Sequence, residues 1–293
     1  IGYSLEEVRR CLQSLRRHGF HGPVVFKDNV FRLANLLGIR GVTADDASQP
    51  VATNPKARRI MSAALADLKK LAAEFPEFEI LLTHMDEVFN RNRLPRYLDG
   101  ARLVRELSDF RLYMTIHMMP GRWEKAMEQS DSLIDVRCIN GHSLDEWLKA
   151  GHTFDELAQM IKASGDEAWT YYNMRGAFFL PEWNRIVNGL YMWLSPLRVH
   201  VPWTYHYIGG NPFDDTDSRR YDYGYAFPSL EDPAVLIPTL HWEAFREGYD
   251  DMRYLKTLEQ LIERRRAQGR DVRSAQAWLS ELRAMMPRVP DDI

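Results

Sequence analysis

Cysteine is nearly missing from this chain. Cys11 and Cys138 are the only two in 293 residues, and their spacing builds neither a disulfide framework nor a cysteine metal site. Both read as buried thiols, and cysteine usage leaves the compartment undetermined. No apolar run approaches the ~18 residues that a membrane span needs. Charge of one sign is also lacking: 38 basic residues against 41 acidic ones give a net −3, with no basic stripe. That balance argues against nucleic acid as a main partner. Arg264, Arg265 and Arg266 read as the cationic end of a long helix, where they suit the helix dipole. The G-x-G-x-x-G and G-x-x-x-x-G-K-[ST] phosphate loops are absent, as is the G-x-S-x-G nucleophile elbow. H-E-x-x-H is absent too, and the strand-end histidines His117, His142 and His206 follow separate predicted strands or lie on them. These gaps exclude nucleotide and serine-nucleophile chemistry of the familiar kinds. They favour hydrolysis or lyase chemistry, with no cofactor and no metal expected.

What is present is a large apolar fraction, 45%, arranged in alternating strand and helix patterns. Short apolar runs predict strands at 23–26, 79–85, 111–117, 133–139, 167–173, 199–207 and 235–240. Helical periodicity predicts helices at 5–18, 31–37, 56–75, 95–107, 120–129, 143–163 (broken near Gly151), 181–194, 242–267 and 272–285. Residues 209–229 form a long irregular stretch rich in Gly, Asp, Tyr and Pro; a loop of that length is usually functional. Strand–helix alternation implies parallel strands with right-handed crossovers. The expectation is an α/β fold: one (β/α)8 TIM-like barrel over 1–293, with C-terminal helices at 242–286. Six or seven strands are legible where a closed barrel has eight. One or two strands are therefore expected before Ile1, unless the barrel is incomplete.

A (β/α) barrel presents catalytic groups at the C-terminal ends of its strands. The predicted strand at 79–85 runs directly into Asp86-Glu87 and then a polar loop. The two acids are candidate catalytic groups; the plain alternative is a helix cap. Successive strand residues point in opposite directions, so two neighbours share one site only where the strand ends. A carboxylate pair flanking a glycosidic bond needs ~5 Å or more across the bond. Adjacent acids better suit a division of labour. One protonates the leaving oxygen, and the other steadies a nucleophile belonging to the substrate, such as a 2-acetamido oxygen. The other strand ends carry His117, then Trp169, Tyr171, Tyr172 and Asn173, then Trp203 and Tyr205. Rings with scattered polar groups suit a sugar site; the same rings equally fill a barrel core.

The run 79–87, Glu-Ile-Leu-Leu-Thr-His-Met-Asp-Glu, resembles the strand and acid pair of the glycoside hydrolase family 123-like catalytic domain. So does the run 238–255, with Arg246-Glu247-Gly248-Tyr249-Asp250-Asp251 followed by Tyr254-Leu255. Trp169 to Asn173 and Trp203 to Tyr205 resemble its aromatic strands. The resemblance covers about residues 60–260, and the C-terminal run is its more specific part. It implies a β-N-acetylgalactosaminidase-like activity on glycans by substrate-assisted, retaining hydrolysis. Glu87 would be the acid/base and Asp86 would orient the 2-acetamido group. His117, Trp169, Tyr171, Tyr172, Asn173, Trp203 and Tyr205 would bind substrate. Only the resemblance favours a secreted or periplasmic location, and nothing in the sequence fixes an oligomeric state. Two alternatives stand beside it. One is a carbohydrate-binding barrel without chemistry, or a barrel hydrolase of another glycoside. The other is a metal-dependent barrel hydrolase using His84, Asp86 and His117.

Overall fold

The computed structural model describes residues 5–17, 19–20, 22–27, 54–83, 94–116, 133–172, 180–197, 199–202, 205–207, 211, 213–214, 216–217, 223–232 and 235–286. By internal contacts the chain divides into two compact units, Ile1–Asn140 with Ser164–Glu167, and Gly141–Ala163 with Ala168–Ile293.

In the first unit, α1 (Leu5–Arg17) is followed by β1 (Pro23–Lys27), α2 (Pro55–Glu74), β2 (Glu79–Thr83), α3 (Leu94–Leu107), β3 (Arg111–Ile116) and β4 (Val136–Asn140). β1 pairs β2 in parallel from Pro23 opposite Glu79 to Lys27 opposite Thr83. β2 pairs β3 with Leu81 opposite Arg111, and β3 pairs β4 from Tyr113 opposite Val136 to Ile116 opposite Ile139. With β5 (Glu167–Tyr171) they form one five-stranded sheet in chain order, β1-β2-β3-β4-β5. After its first residue, each of β2 and β3 is buried throughout, and β4 is buried along its whole length. Strands covered on both faces carry continuous apolar runs rather than alternating ones, which is why these were legible in the sequence.

α2 begins where Pro55 fixes the first helical φ and the Asn54 side chain accepts hydrogen bonds from Lys56 N (3.0 Å) and Ala57 N (3.2 Å). Its stripe of Ala57, Ile60, Met61, Ala64, Leu65, Leu68 and Leu71 is buried, as the 3.6-residue period requires. α1 docks beside its far end. Arg9 Nε lies 3.0 Å from both carboxylate oxygens of Glu74, and Arg16 pairs with Glu77 while its guanidinium lies 4.5 Å over the Phe75 ring.

The polar chemistry of this unit gathers at the strand starts. Arg111, the first residue of β3, donates to Glu79, the first of β2 (2.7 Å), and to Glu167, the first of β5 (3.0 Å). Arg137 in β4 is 1% exposed and pairs with Asp166 at 2.9 Å. Asp135 accepts from Arg105 (2.6 Å) and from Leu112 N (2.7 Å). Charges spent on fixing strand starts leave the opposite ends for other work. In barrel folds this is the division between a stability rim and a functional rim.

The second unit contains α4 (Gly141–Lys149), α5 (Phe154–Ser164), most of β5, α6 (Pro181–Ile186), a π-helical segment (Val187–Tyr191) leading into a last α turn (Met192–Leu194), β6 (His206–Tyr207), β7 (Tyr223–Gly224), β8 (Ala226–Pro228), β9 (Leu236–Pro238), α7 (Leu240–Ala267) and α8 (Arg273–Met285). The break expected near Gly151 is real: at φ +111 it adopts a backbone that L side chains rarely take, and α4 and α5 separate there. Thr170 forms a parallel bridge to His200, its N–H donating to Val199 O (2.9 Å) and its carbonyl accepting from Val201 N (2.8 Å).

Two predicted strands differ from the expectation. The run 199–207 is one bridge at His200 and then a separate short strand, β6, antiparallel to β7. The run 235–240 contributes β9, which pairs antiparallel with β8 rather than completing a parallel ladder. Pro202 and Pro238 lack the N–H that a regular ladder uses, which shortens both. The fold is α/β with a parallel five-stranded sheet, and closure into eight strands is not seen among the described residues. The predicted helices at 31–37 and 120–129 lie outside the described residues.

Candidate functional site

β2 is buried up to Thr83, which is 2% exposed, and Asp86 and Glu87 follow three and four positions on in the chain. Asp86, Glu87, His117, Asn173 and Trp203 lie outside the described residues, as does His84 of the metal reading. Among the described residues, no group of three His, Cys, Asp or Glu side chains could hold a metal ion, and no helix is long and apolar enough to cross a membrane.

What the structure does show is how the end of β2 is held. Tyr97 on α3 is fully buried, and its hydroxyl donates to Tyr113 O at 2.8 Å. It also shares a hydrogen bond with Thr83, the last residue of β2, and burial pushes its phenol well above the ordinary range. One hydroxyl thus ties β3 to the end of β2, just before the acid pair. In the sequence Tyr97 is one aromatic in a helical stripe, and only its burial against two strands marks it out.

In the second unit the aromatic residues expected to bind sugar take up distinct places. Trp169 and Tyr172 are each 1% exposed and Tyr171 is 7% exposed. With no ring face open to solvent, they serve here as core side chains. Tyr172 is the hub. Its hydroxyl donates to Asp145 Oδ1 (2.8 Å), which also lies 3.5 Å from the Tyr191 hydroxyl. His142, Trp183 and His200 meet its ring edge-on at 5.6, 5.3 and 5.8 Å. Gly141 lies so close that an added Cβ would stand 2.2 Å from the ring. Asp145 itself is 1% exposed. Its sequence setting, an ordinary acid early in a helix, gave no hint that it lies beneath two tyrosines.

Next to this hub is a polar relay. The Tyr225 hydroxyl donates to Asn184 Oδ1 (3.0 Å), and the Asn184 amide nitrogen lies 2.8 Å from His241 Nδ1. Asn184 is near the start of α6 and His241 near the start of α7, where Thr239 Oγ1 accepts from Trp242 N. Burial lowers the His241 pKa, partly opposed by the Glu182 carboxylate, and raises that of Tyr225. His241 is therefore a neutral, half-buried imidazole fixed through one nitrogen by the Asn184 amide. Tyr205, partly exposed, meets Trp242 edge-on at 5.5 Å; Tyr225, Trp242 and Phe245 pack against one another. Of the predicted site residues described, Tyr205 is the one that borders this relay. Asn184, Tyr225 and His241 were not singled out by pattern, since their bond partners are 41 and 57 residues away.

His200 packs between Tyr172 and Phe245, with ring centroids 5.8 and 5.7 Å away. Among the described residues neither ring nitrogen has a hydrogen-bond partner, and burial lowers its pKa to about 3. Between that value and the ordinary ~6.5, the unfolded chain holds a proton that the folded chain refuses. Stability therefore rises with pH through this window, is fully present above it, and falls on acidification. The slope should approach ~1.4 kcal/mol per pH unit. Denaturant unfolding at about pH 5 and pH 7, the two sides of that window's upper part, should show it in the parent and not in His200→Phe. Equal slopes would remove His200 as the cause.

Compared with protein-family models and with curated proteins, the chain matches none, so the family resemblance rests on its motifs.

Proposed function

We propose that this protein is a glycoside hydrolase acting on N-acetylhexosamine glycosides, N-acetylgalactosamine-like, by substrate-assisted retaining hydrolysis. Glu87 protonates the leaving oxygen and later serves as base, while Asp86 orients the 2-acetamido group and stabilises the oxazolinium-like intermediate. The observation that carries the reading is the polarity of β2. Its first residue, Glu79, is bound to Arg111 in the ion pairs that fix the strand starts, and its far end, braced by Tyr97, leads to the acid pair. That is the arrangement in which a barrel strand delivers catalytic groups. The motif at 238–255 supports the same reading. Trp169, Tyr171 and Tyr172 are core side chains in the structure, so the sugar contacts of this reading fall to Tyr205, His117, Asn173 and Trp203.

An aryl-glycoside screen tests it. Nitrophenol release is expected from the N-acetyl-β-galactosaminide, with the N-acetyl-β-glucosaminide as the related substrate. The matched galactoside, with a 2-hydroxyl in place of the acetamido group, should not turn over. Equal cleavage of the galactoside would take the nucleophile-orienting role away from Asp86. No cleavage of any aryl glycoside, with saturable glycan binding, would turn the reading to a binding protein.

A further inference from the structure

The pair α7–α8 is a helical hairpin with one side closed and the other open. α7 ends at Ala267, Gly269 takes the left-handed backbone (φ +71), and α8 starts at Arg273, a connection short enough to make the helices antiparallel neighbours. They meet through Leu255 and Ile262 on α7 and Leu279 and Leu282 on α8. Trp193 covers one side. Its indole N–H donates to Glu259 (3.0 Å), and Arg283 pairs with Glu259 while stacking 4.5 Å over the Trp193 ring. Glu259 and Arg283 each lie one residue after a position that packs in the hairpin, Leu258 and Leu282. A helix turns 100° per residue, and in an antiparallel pair the positions one residue before the contact fall together on the opposite side.

Of those positions the large apolar ones are exposed, and the polar Thr257 and Glu281, which precede Leu258 and Leu282, lie between them. Tyr254 and Leu261 precede Leu255 and Ile262; Trp278 precedes Leu279, and Met285 lies two turns further on α8. Their exposures are 77%, 46%, 51% and 73%. Four large apolar side chains in one patch on a helical hairpin are more than scattered surface residues. The ends of the α7 stripe differ in charge. Seven residues before Tyr254 is Glu247, whose half-exposed carboxylate also accepts from Arg246 (2.8 Å), and four after Leu261 is Arg265, both on the same helix face. A two-fold axis through the patch would bring Glu247 of one copy to Arg265 of the other, and Tyr254 and Leu261 against each other. The stripe is self-complementary, as an isologous contact requires.

We propose that this face binds a second copy of the chain, as an antiparallel, two-fold pairing of hairpins into a four-helix layer. α8 is ~20 Å long and each helix ~10 Å across, so the shared face covers roughly 400 Å². That is about half of the ~800 Å² per partner of a standard interface, so the dimer is weak and concentration-dependent.

Sedimentation velocity of the purified full chain over a rising concentration series tests this. The weight-average mass should climb from 34.2 kDa toward twice that value. Leu261→Glu and Trp278→Lys should stay monomeric over the same series with unchanged circular dichroism and thermal midpoint, since both side chains are exposed. Arg265→Glu should weaken the dimer, and combining it with Glu247→Arg should restore it. A parent chain that stays monomeric throughout, or a dimer indifferent to Leu261→Glu and Trp278→Lys, would overturn the proposal. Failure of the charge-swapped pair to recover would overturn its antiparallel geometry.

Discussion

Glu87→Gln is expected to lower turnover of the aryl N-acetyl-β-galactosaminide by about 10²–10⁴, the usual contribution of a positioned general acid or base. That corresponds to about 3–5 kcal/mol on the barrier. The amide keeps the shape of the side chain and removes its titratable proton and its charge. Circular dichroism and thermal midpoint should therefore stay with the parent. An aglycone that leaves readily needs little protonation, so the loss should be smaller for nitrophenyl than for methylumbelliferyl or sugar leaving groups. Turnover unchanged across all three would remove Glu87 from the mechanism.

The largest expected effect on stability is at Gly248. It lies in α7 where that helix crosses α6 and the π-helical segment. A Cβ built there would stand 2.3 Å from Arg185 O, and one built on Gly189 would stand 2.8 Å from Gly248 O. Both obstacles are backbone, which cannot rotate away as a side chain can. Gly248→Ala must push the helices apart, across a contact that also holds the Arg185–Asp251 pair (2.7 and 3.0 Å) and the Asn188 amide donating to Phe245 O (2.7 Å). Overpacking of this severity should cost about 3 kcal/mol or more, a drop on the order of 10 °C in Tm. Gly22→Ala is the control, because its nearest neighbour, the Phe20 ring, would lie at an ordinary 3.7 Å. Equal midpoints for the two variants would contradict the close helix approach. Helix propensity alone would make alanine the better residue at 248, so the sign of the effect separates packing from propensity.

Gly248 also shows what was legible in advance and what was not. In the sequence it belongs to the Arg246-Glu247-Gly248 motif of the C-terminal run. In the structure Arg246 donates to Glu243 (3.0 Å) and Glu247 (2.8 Å) on its own helix, and the glycine is the point where another helix touches. The parallel strands β2 and β3 were readable because burial on both faces makes each a largely apolar run, and β4 was readable from Val136, Cys138 and Ile139 although Arg137 interrupts it. α2 was readable from its seven-residue stripe and its Asn-Pro start. The segment 181–194 was readable as a helix but not as one with a π-helical turn. That turn's local sign is a glycine, Gly189, which lies where α7 crosses at Gly248. β6 and β9 were misread in extent, and β7 and β8 lie in the stretch 209–229 that was read as irregular; at two or three residues each, all four are too short for alternation to speak.

The candidate site divides in the same way. Strand-end aromatics were visible as residue types, but whether a ring stacks on a ligand or fills a core depends on its neighbours. Burial places Trp169 and Tyr172 in the second role here. The Asn184–Tyr225–His241 relay and the Tyr97 brace join residues far apart in the chain through single hydrogen bonds. No periodicity or spacing encodes such bonds. Asp86-Glu87, by contrast, is a purely local signal: two acids where a buried strand ends.

The configuration of the first sugar released tests the substrate-assisted mechanism most directly. Proton NMR of an aryl N-acetyl-β-galactosaminide digest, recorded before mutarotation, should show the β-anomer of N-acetylgalactosamine first. First appearance of the α-anomer would mean direct displacement by water, and would contradict the roles given to Asp86 and Glu87.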